Sequence, residues 1–342
     1  MKNRARTGLG SVALCCALSA ISPHATAQTR SYDFDFATIT HPGNAPYDGG
    51  QFGLTAGIGR VDYVYRISKL EITTSQWVEY ANVFSTREGG RFFTSPTYWG
   101  ASPDPTYTGP GRRWVVNPGQ GRRPVMEISW QEAARYANWL HNDKGTELSA
   151  LATGAYDTST WGVNPITGQR TDGNKLPGAK FWIPSYDEWL KAVHYDPDKN
   201  GPGQEGYWLF PHSSDDLIVS GIPGEGETSA GVTSLFAPTL PLGSYPESTS
   251  PWGLLDASGG ATEMIDTWVQ PFGAREEKFF DGARAGSRSW FVLDRADAWN
   301  GSVPVTIPRS FGGLRIASAV PTAGAWVFLA PVFTLYVVRR RR

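Results

Sequence analysis

Apolar side chains recur at three- and four-residue spacing in three stretches, and this pattern predicts three helices that each bury one face. The first stretch, residues 73–85, reads TTSQWVEYANVFS. Thr73 or Thr74 is a suitable N-cap, because a threonine hydroxyl accepts an otherwise unpaired backbone N–H. The side chains expected on its buried stripe are Trp77, Tyr80, Ala81 and Phe84.

The other two predicted helices begin with a capping box, in which a serine and a glutamate three residues later each bind a backbone N–H. Residues 129–142 read SWQEAARYANWLHN and pair Ser129 with Glu132. Residues 185–196 read SYDEWLKAVHYD and pair Ser185 with Glu188. The side chains expected to be buried are Ala133, Tyr136, Ala137 and Leu140 in the first, and Trp189, Ala192 and Val193 in the second.

Short strand-like pieces lie between these helices, such as YVYRISKLEIT at 63–73 and KFWIP at 180–184. The chain also holds 39 glycines, 25 prolines and 14 tryptophans, which favours turns and long ordered loops with aromatic anchors. No linker-like block or fixed repeat divides residues 31–318. We therefore expect one compact α+β domain with little regular secondary structure.

Residues 1–27 have the layout of a secretory signal. Lys2, Arg4 and Arg6 precede the apolar run GLGSVALCCALSAI, and ATA ends the segment at Ala27. A buried N-terminal helix is the alternative. Export is the prediction that follows from the first interpretation.

Residues 321–342 contain an apolar run from Ala323 to Val338, followed by four arginines. A helix of that length spans roughly 24 Å, short of the roughly 30 Å hydrocarbon core of a bilayer. The layout resembles the PEP-CTERM sorting signals of exported bacterial proteins, which implies recognition by sorting machinery. A simple tail anchor is the alternative. Either way, we expect the protein at the envelope or outside the cell, tethered at least transiently through this tail.

The body between the two ends is acidic. Without three basic residues of the leader and four of the tail, 24 basic residues face 32 acidic ones, which changes the formal charge from −1 to −8. Phosphate binding needs a basic footprint, so this charge argues against nucleic acid as a partner.

The inventory of reactive side chains excludes several chemistries. Both cysteines, Cys15 and Cys16, lie in the leader, so the body has no thiol for a nucleophile, a redox pair or a zinc–thiolate site. The remaining histidines of the body show no ligand spacing, and no Gly-x-Ser-x-Gly elbow occurs. These histidines are His41, His141, His194 and His212.

Seven segments together resemble the sulfatase-modifying-factor family, whose best-known member is the formylglycine-generating enzyme. In chain order they read YRISKLEITTSQWVEYANVF, RRPVMEISWQEAARYANWLH, FWIPSYDEWLKAVHYD, GYWLFP, YPESTSPWGLLDASGGATEMIDTW, SRSW and GGLRIAS. The resemblance covers nearly all of residues 28–320. It implies the formylglycine-generating-enzyme fold, which is related to that of C-type lectins.

The chemistry of that family requires residues that this chain lacks. Formylglycine-generating enzymes hold copper with a pair of cysteines a few residues beyond a Gly-Ser-Trp-like motif, and the corresponding positions here fall near Val292 and Asp297. The approach to them reads GSRSW at 286–290. No copper is therefore expected. Two functions remain: a non-catalytic module that binds an unknown envelope or extracellular ligand, or an enzyme of the same family with cysteine-independent, non-haem metal oxidative chemistry.

The resemblance also implies a calcium ion on one tight loop. The matching stretch is LLDASGGATEMID at 254–266. It offers the Asp256 side chain, the carbonyl oxygens of Gly259 and Ala261, and the Glu263 carboxylate, which are hard oxygen ligands that suit Ca²⁺. A solvated turn is the alternative. If calcium binds, Glu263→Gln is expected to remove most of its stabilisation and to leave the calcium-free protein nearly unchanged.

Overall fold

The computed structural model describes residues 32–51, 53, 55–88, 99–166, 171–232, 240–269, 277–281, 294–298, 301–308 and 311–321. The predicted leader, the GSRSW stretch, Val292 and the tail beyond 321 lie outside these residues. The segment Thr29–Val320 clusters as one compact unit, in keeping with the single predicted domain.

The three predicted helices are present, and each begins directly after its capping side chain. They are α1 (Thr74–Ser85), α2 (Trp130–His141) and α3 (Tyr186–His194). Thr73 and Ser185 complete full capping boxes, with Gln76 and Glu188 as their partners. In α2 the Ser129 side chain accepts from the Glu132 N–H, while the Glu132 carboxylate accepts from the Tyr80 hydroxyl of α1 at 2.6 Å.

The predicted stripes are all buried, and an aromatic cluster joins α1 to α2. The Trp77 and Tyr136 rings stack with centroids 5.3 Å apart, and Tyr80 meets Tyr136 edge-on at 5.2 Å. Trp139 lies against Tyr80 at 5.4 Å. Such aromatic pairs stabilise a core beyond the area they bury.

The strands are short and form four small sheets. They are β1 (Phe36–Ile39), β2 (Tyr65–Ser68), β3 (Ala101–Pro103), β4 (Trp114–Val116), β5 (Phe181–Trp182), β6 (Tyr195–Asp196), β7 (Gly206–Tyr207), β8 (Thr262–Val269), β9 (Glu277–Asp281), β10 (Gly301–Val303), β11 (Gly312–Gly313) and β12 (Ala317–Ala319). Two of them, β2 and β5, fall in the stretches predicted as strands. Single-turn 3₁₀ helices at Leu148–Leu151 and Thr158–Thr160 follow α2.

Two four-stranded sheets organise the domain. One has the order β1-β2-β12-β5 and is antiparallel throughout, and α2 lies against its β5 edge. The other has the order β10-β9-β8-β11; its β8 is antiparallel to β9 and parallel to β11. The remaining pairs are β3-β4 and β6-β7. This arrangement confirms an α+β fold with little regular secondary structure.

Helix length bears on the membrane question. Within the described part of the chain, none of the helices has the length and hydropathy needed to cross a bilayer.

Candidate functional site

The predicted calcium loop runs from Asp256 into the start of β8. Asp256 has a left-handed backbone (φ 57°), and its Oδ2 accepts from the Gly243 N–H at 2.6 Å. Gly259 is also left-handed (φ 87°), so the loop turns tightly on both sides of Ser258. The Ala261 N–H donates to the Glu71 carboxylate at 3.0 Å. The loop therefore lies against a buried acid from just before α1.

The fourth predicted ligand, Glu263, is bound to another part of the protein. Its carboxylate is 1% exposed and forms a two-pronged ion pair with the fully buried Arg315: Nη2 donates to Oε1 at 2.6 Å and Nε donates to both oxygens at 3.0 and 3.1 Å. The Trp189 indole N–H of α3 donates to Oε2. Both oxygens thus have protein donors, and the role of Glu263 as a calcium ligand stays a prediction.

Glu71 is the acid at this loop that the sequence interpretation missed. It is 1% exposed, and its Oε2 has no hydrogen-bond partner among the described residues. Burial and then the charge of Glu263 raise the pKa of Glu71 well above its usual value. Burial likewise raises the pKa of Asp256 to about 6. The sequence signal was a single acid between two aliphatic residues, Leu70 and Ile72.

Metal-ligand clusters of other kinds are not found in the described residues, where no group of three or more His, Cys, Asp or Glu side chains is placed to hold an ion. His194 is 2% exposed, and its Nδ1 donates to the Trp208 carbonyl oxygen at 3.1 Å. His141 Nδ1 accepts from the Lys180 N–H. These two histidines serve the packing of the fold. The calcium site itself stays a prediction.

The position that the family resemblance assigned to the second cysteine carries a buried carboxylate. Asp297 is 0% exposed, and each of its oxygens accepts from the Arg295 guanidinium at 2.7 Å. Oδ2 also accepts from the Gln51 N–H at 2.8 Å. Asp297 is therefore a fixed, charge-paired wall of the site, and the hydrogen bonds raise the pKa of Arg295 further.

Asp297 opens onto a cavity of about 540 Å³. Its walls come from residues 45–51, from residues 199–215, and from Arg295 and Asp297. The lack of a side chain at Gly50 lets the backbone pass close to Asp297. A Cβ at Gly50 would lie 2.9 Å from Asp297 Oδ2 and 2.5 Å from the Tyr47 hydroxyl oxygen. With φ at 48°, Gly50 also adopts a conformation that favours glycine.

Two tyrosines form the aromatic side of this cavity. The Tyr47 and Tyr207 rings lie 5.2 Å apart, tilted by 52°. The Tyr207 hydroxyl is held by the Asn44 amide at 2.8 Å and bonds the Gly59 carbonyl at 2.9 Å. Burial and then the charge of Asp297 raise the pKa of Tyr47, so its phenol stays protonated at neutral pH.

The polar side of the cavity is mostly negative. Lys199 donates to Asp215 at 2.9 Å and to the Tyr207 carbonyl at 2.6 Å, just as Arg295 is paired with Asp297. Asp48 and Glu205 are exposed carboxylates on the same walls. Only Asp297 was predictable from the sequence. The other charged and phenolic side chains of the cavity lie on loops or on the two-residue strand β7, without a hydrophobic period, so no sequence pattern marks them.

The chain was compared with models of known protein families and with curated protein sequences. Residues 59–320 match the model of the sulfatase-modifying factor enzyme 1-like domain, so cavity residues 45–51 precede the matched segment. No curated protein sequence matches the chain.

Among solved structures, Treponema denticola variable protein 1 is similar with a TM-score of 0.50 and 17% identity, over 84% of this chain and 95% of its own. CarF is similar with a TM-score of 0.49 and 18% identity, over 84% of this chain and 99% of its own. PvdO from Pseudomonas aeruginosa is similar with a TM-score of 0.42 and 14% identity, over 84% of this chain and 92% of its own. At such identity the likeness to the Treponema denticola protein concerns the fold alone.

Proposed function

The chain belongs to the sulfatase-modifying factor enzyme 1-like family, and we propose that it is an exported, non-catalytic module of the envelope or extracellular matrix. It binds a ligand in the cavity beside Asp297. The ligand is an envelope or extracellular molecule and not a nucleic acid, in keeping with the acidic body.

The observation that carries the proposal is the state of Asp297. Soft Cu(I) needs soft ligands such as thiolates, and the body contains no cysteine. At the position assigned to one of the two cysteines, the carboxylate is already saturated by Arg295 and the Gln51 N–H. A carboxylate held in this way supports the structure of a binding cavity and is poorly placed to take up an oxidisable metal.

The catalytic side is tested with copper and a sulfatase-type cysteine peptide. We expect the purified protein to bind no Cu(I) tightly and to form no aldehyde by mass spectrometry, under conditions in which a formylglycine-generating enzyme converts the same peptide. The matching peptide with serine in place of cysteine is the blank. An aldehyde product that depends on the protein would overturn the proposal.

Location is tested separately. The support is the leader at 1–27 and the tail at 321–342, which would engage sorting machinery. Deletion of residues 321–342 is expected to release the protein into the medium. Unchanged fractionation of the shortened protein would contradict the tethering role.

Calcium is proposed as a structural ion with a modified ligand set. Asp256 and the carbonyl oxygens of Gly259 and Ala261 remain, while Glu71 replaces Glu263 as the second carboxylate. The support is the buried Glu71 Oε2 that has no partner among the described residues and lies against this loop. Such an oxygen set suits Ca²⁺, which tolerates irregular geometry.

A further inference from the structure

We infer that the cavity beside Asp297 accepts a ligand bearing a positively charged amine. The inference rests on the proposed function, because it names the class of ligand for that same cavity. It is carried by two cavity carboxylates that have no ion-pair partner in the described part of the chain and by one hydroxyl on the cavity wall.

The charges on the walls do not balance. Both cations have carboxylate partners of their own: Arg295 pairs with Asp297 at 2.7 Å and Lys199 with Asp215 at 2.9 Å. Asp48 accepts only from the Gly50 N–H, and Glu205 from the Ala45 N–H and the Tyr195 hydroxyl, so neither has an ion-pair partner in the described part of the chain. Two carboxylates therefore remain for a cation from outside.

Tyr47 supplies the second, independent observation. Its side chain is 8% exposed and lines the cavity, and no hydrogen bond of its hydroxyl occurs among the described residues. The hydroxyl lies beside Gly50 and near Asp297, because a Cβ on Gly50 would be 2.5 Å from the hydroxyl oxygen and 2.9 Å from Asp297 Oδ2. A hydroxyl on the cavity wall that no described residue bonds is available to bond a ligand, which adds to the affinity of that ligand.

An ammonium group suits these surroundings better than other ligand chemistry. It has three N–H donors and no acceptor, so it can use the carboxylate and phenol oxygens of these walls. The rings of Tyr47 and Tyr207 line the same cavity, and aromatic rings attract cations. An anion would meet two carboxylates without ion-pair partners, because Arg295 and Lys199 are already paired with Asp297 and Asp215. A neutral polyol could donate to these carboxylates but would bring no positive charge to balance them.

The experiment titrates the full mature protein with 1,5-diaminopentane by calorimetry at low salt and pH 7. The neutral 1,5-pentanediol and the dianion glutarate serve as matched probes of the same chain length. We expect heat of binding from the diamine alone. Added salt should reduce the affinity, because salt screens the attraction between exposed charges, with a Debye length of about 10 Å at 0.1 M.

Three variants separate the cavity from general attraction to an acidic protein. Asp48→Asn should weaken diamine binding by roughly fivefold or more, since a charge-assisted hydrogen bond is lost. Tyr47→Phe should weaken it roughly threefold, since it removes only one neutral acceptor. The control is Asp35→Asn, which removes the same charge from an exposed residue that is paired with Lys69 away from the cavity. This control should change the affinity less than twofold.

The results distinguish this inference from the proposed function. Absence of diamine binding, equal binding of the diol, or equal losses in Asp48→Asn and Asp35→Asn would each overturn the amine assignment and leave the non-catalytic role standing. Aldehyde formation from the cysteine peptide would overturn the proposed function, whatever the titration shows. Melting curves of Asp48→Asn and Tyr47→Phe check that both variants are folded.

Discussion

Breaking the ion pair between Glu263 and Arg315 offers the sharpest test of how this fold is stabilised. Arg315 is fully buried and, besides Glu263, donates to the carbonyl oxygens of Ser68 and Leu255, each at 2.8 Å. It therefore ties β8 to the end of β2 and to the start of the proposed calcium loop. Glu263→Gln leaves this guanidinium in the interior without the carboxylate that it hydrogen-bonds, and only the charges of Glu71 and Asp256 still act on it.

The expected magnitude follows from burial. Removing one partner of a buried pair costs about 3–5 kcal/mol, because the remaining charge is uncompensated. Arg315→Met also loses the bonds to Ser68 and Leu255, roughly 1 kcal/mol each. The double variant leaves no orphaned charge at this pair, so its cost should fall short of the sum of the two single costs by about 3 kcal/mol.

Urea denaturation at pH 7 with EDTA measures each free energy of unfolding. The control is the exposed pair of Lys144 and Glu79, 2.6 Å apart, where Glu79→Gln should cost below about 1 kcal/mol. The reasoning would be refuted if either single variant of the buried pair had a free energy of unfolding within about 1 kcal/mol of the wild type. It would also be refuted if the cost of the double variant equalled the sum of the two single costs. The earlier expectation that calcium-free Glu263→Gln is nearly unchanged would then be restored.

Three further predictions concern other parts of the domain. Desolvation lowers the pKa of buried His194 to about 3, so between that value and pH 6.5 the unfolded chain binds a proton at this residue that the folded chain does not; the contribution of His194 to stability should fall by about 1.4 kcal/mol per pH unit below 6.5. In urea melts from pH 4.5 to 6.5, the stability of the wild type relative to His194→Gln should fall with this slope, and parallel profiles of the two proteins would contradict the prediction. Gly111 and Gly119 share a φ of 73°, but a Cβ at Gly111 would lie 1.9 Å from the Ser85 carbonyl oxygen, whereas one at Gly119 meets nothing within 4 Å. Gly119→Ala should cost about 1 kcal/mol of strain and Gly111→Ala roughly 2 kcal/mol more; equal costs would contradict the predicted clash. Calcium at a hundredfold excess over Kd should add about 2.7 kcal/mol of stability, seen as a higher Tm that EDTA reverses, and Asp256→Asn should lose most of it. An undiminished shift in that variant would move the ion elsewhere.

The helices were predictable because their signals are local. Thr73, Ser129 and Ser185 each cap the helix that follows, and the side chains spaced three and four residues apart are buried as expected. Hydrophobic period and capping act within one or two turns, so a single sequence contains all the information needed. Most strands were harder to predict: β11 and β12 are two and three residues long and exist through pairing with the distant strands β8 and β2.

The site was predictable only where a motif marks it. Asp297 followed from its position relative to the family motif, and Asp256 from the loop motif. The role of Glu263 depends on Arg315, 52 positions further along, and no local pattern announces such a pair. The same holds for Tyr47 and Asp48, which meet residues 295–297 only through the folded loop around Gly50.

The position of β12 has a consequence for the order in which the domain becomes folded. This strand, among the last described residues, lies between β2 and β5 in the middle of its sheet. Arg315, just before it, forms an ion pair with Glu263, and its positive charge also acts on Glu71 and Asp256. Until this stretch has arrived, the sheet is split and those carboxylates must stay hydrated. Long-range pairing of this kind folds slowly. On the proposed export route, a chain that leaves a translocation channel N-terminus first would stay incompletely folded until β12 has emerged.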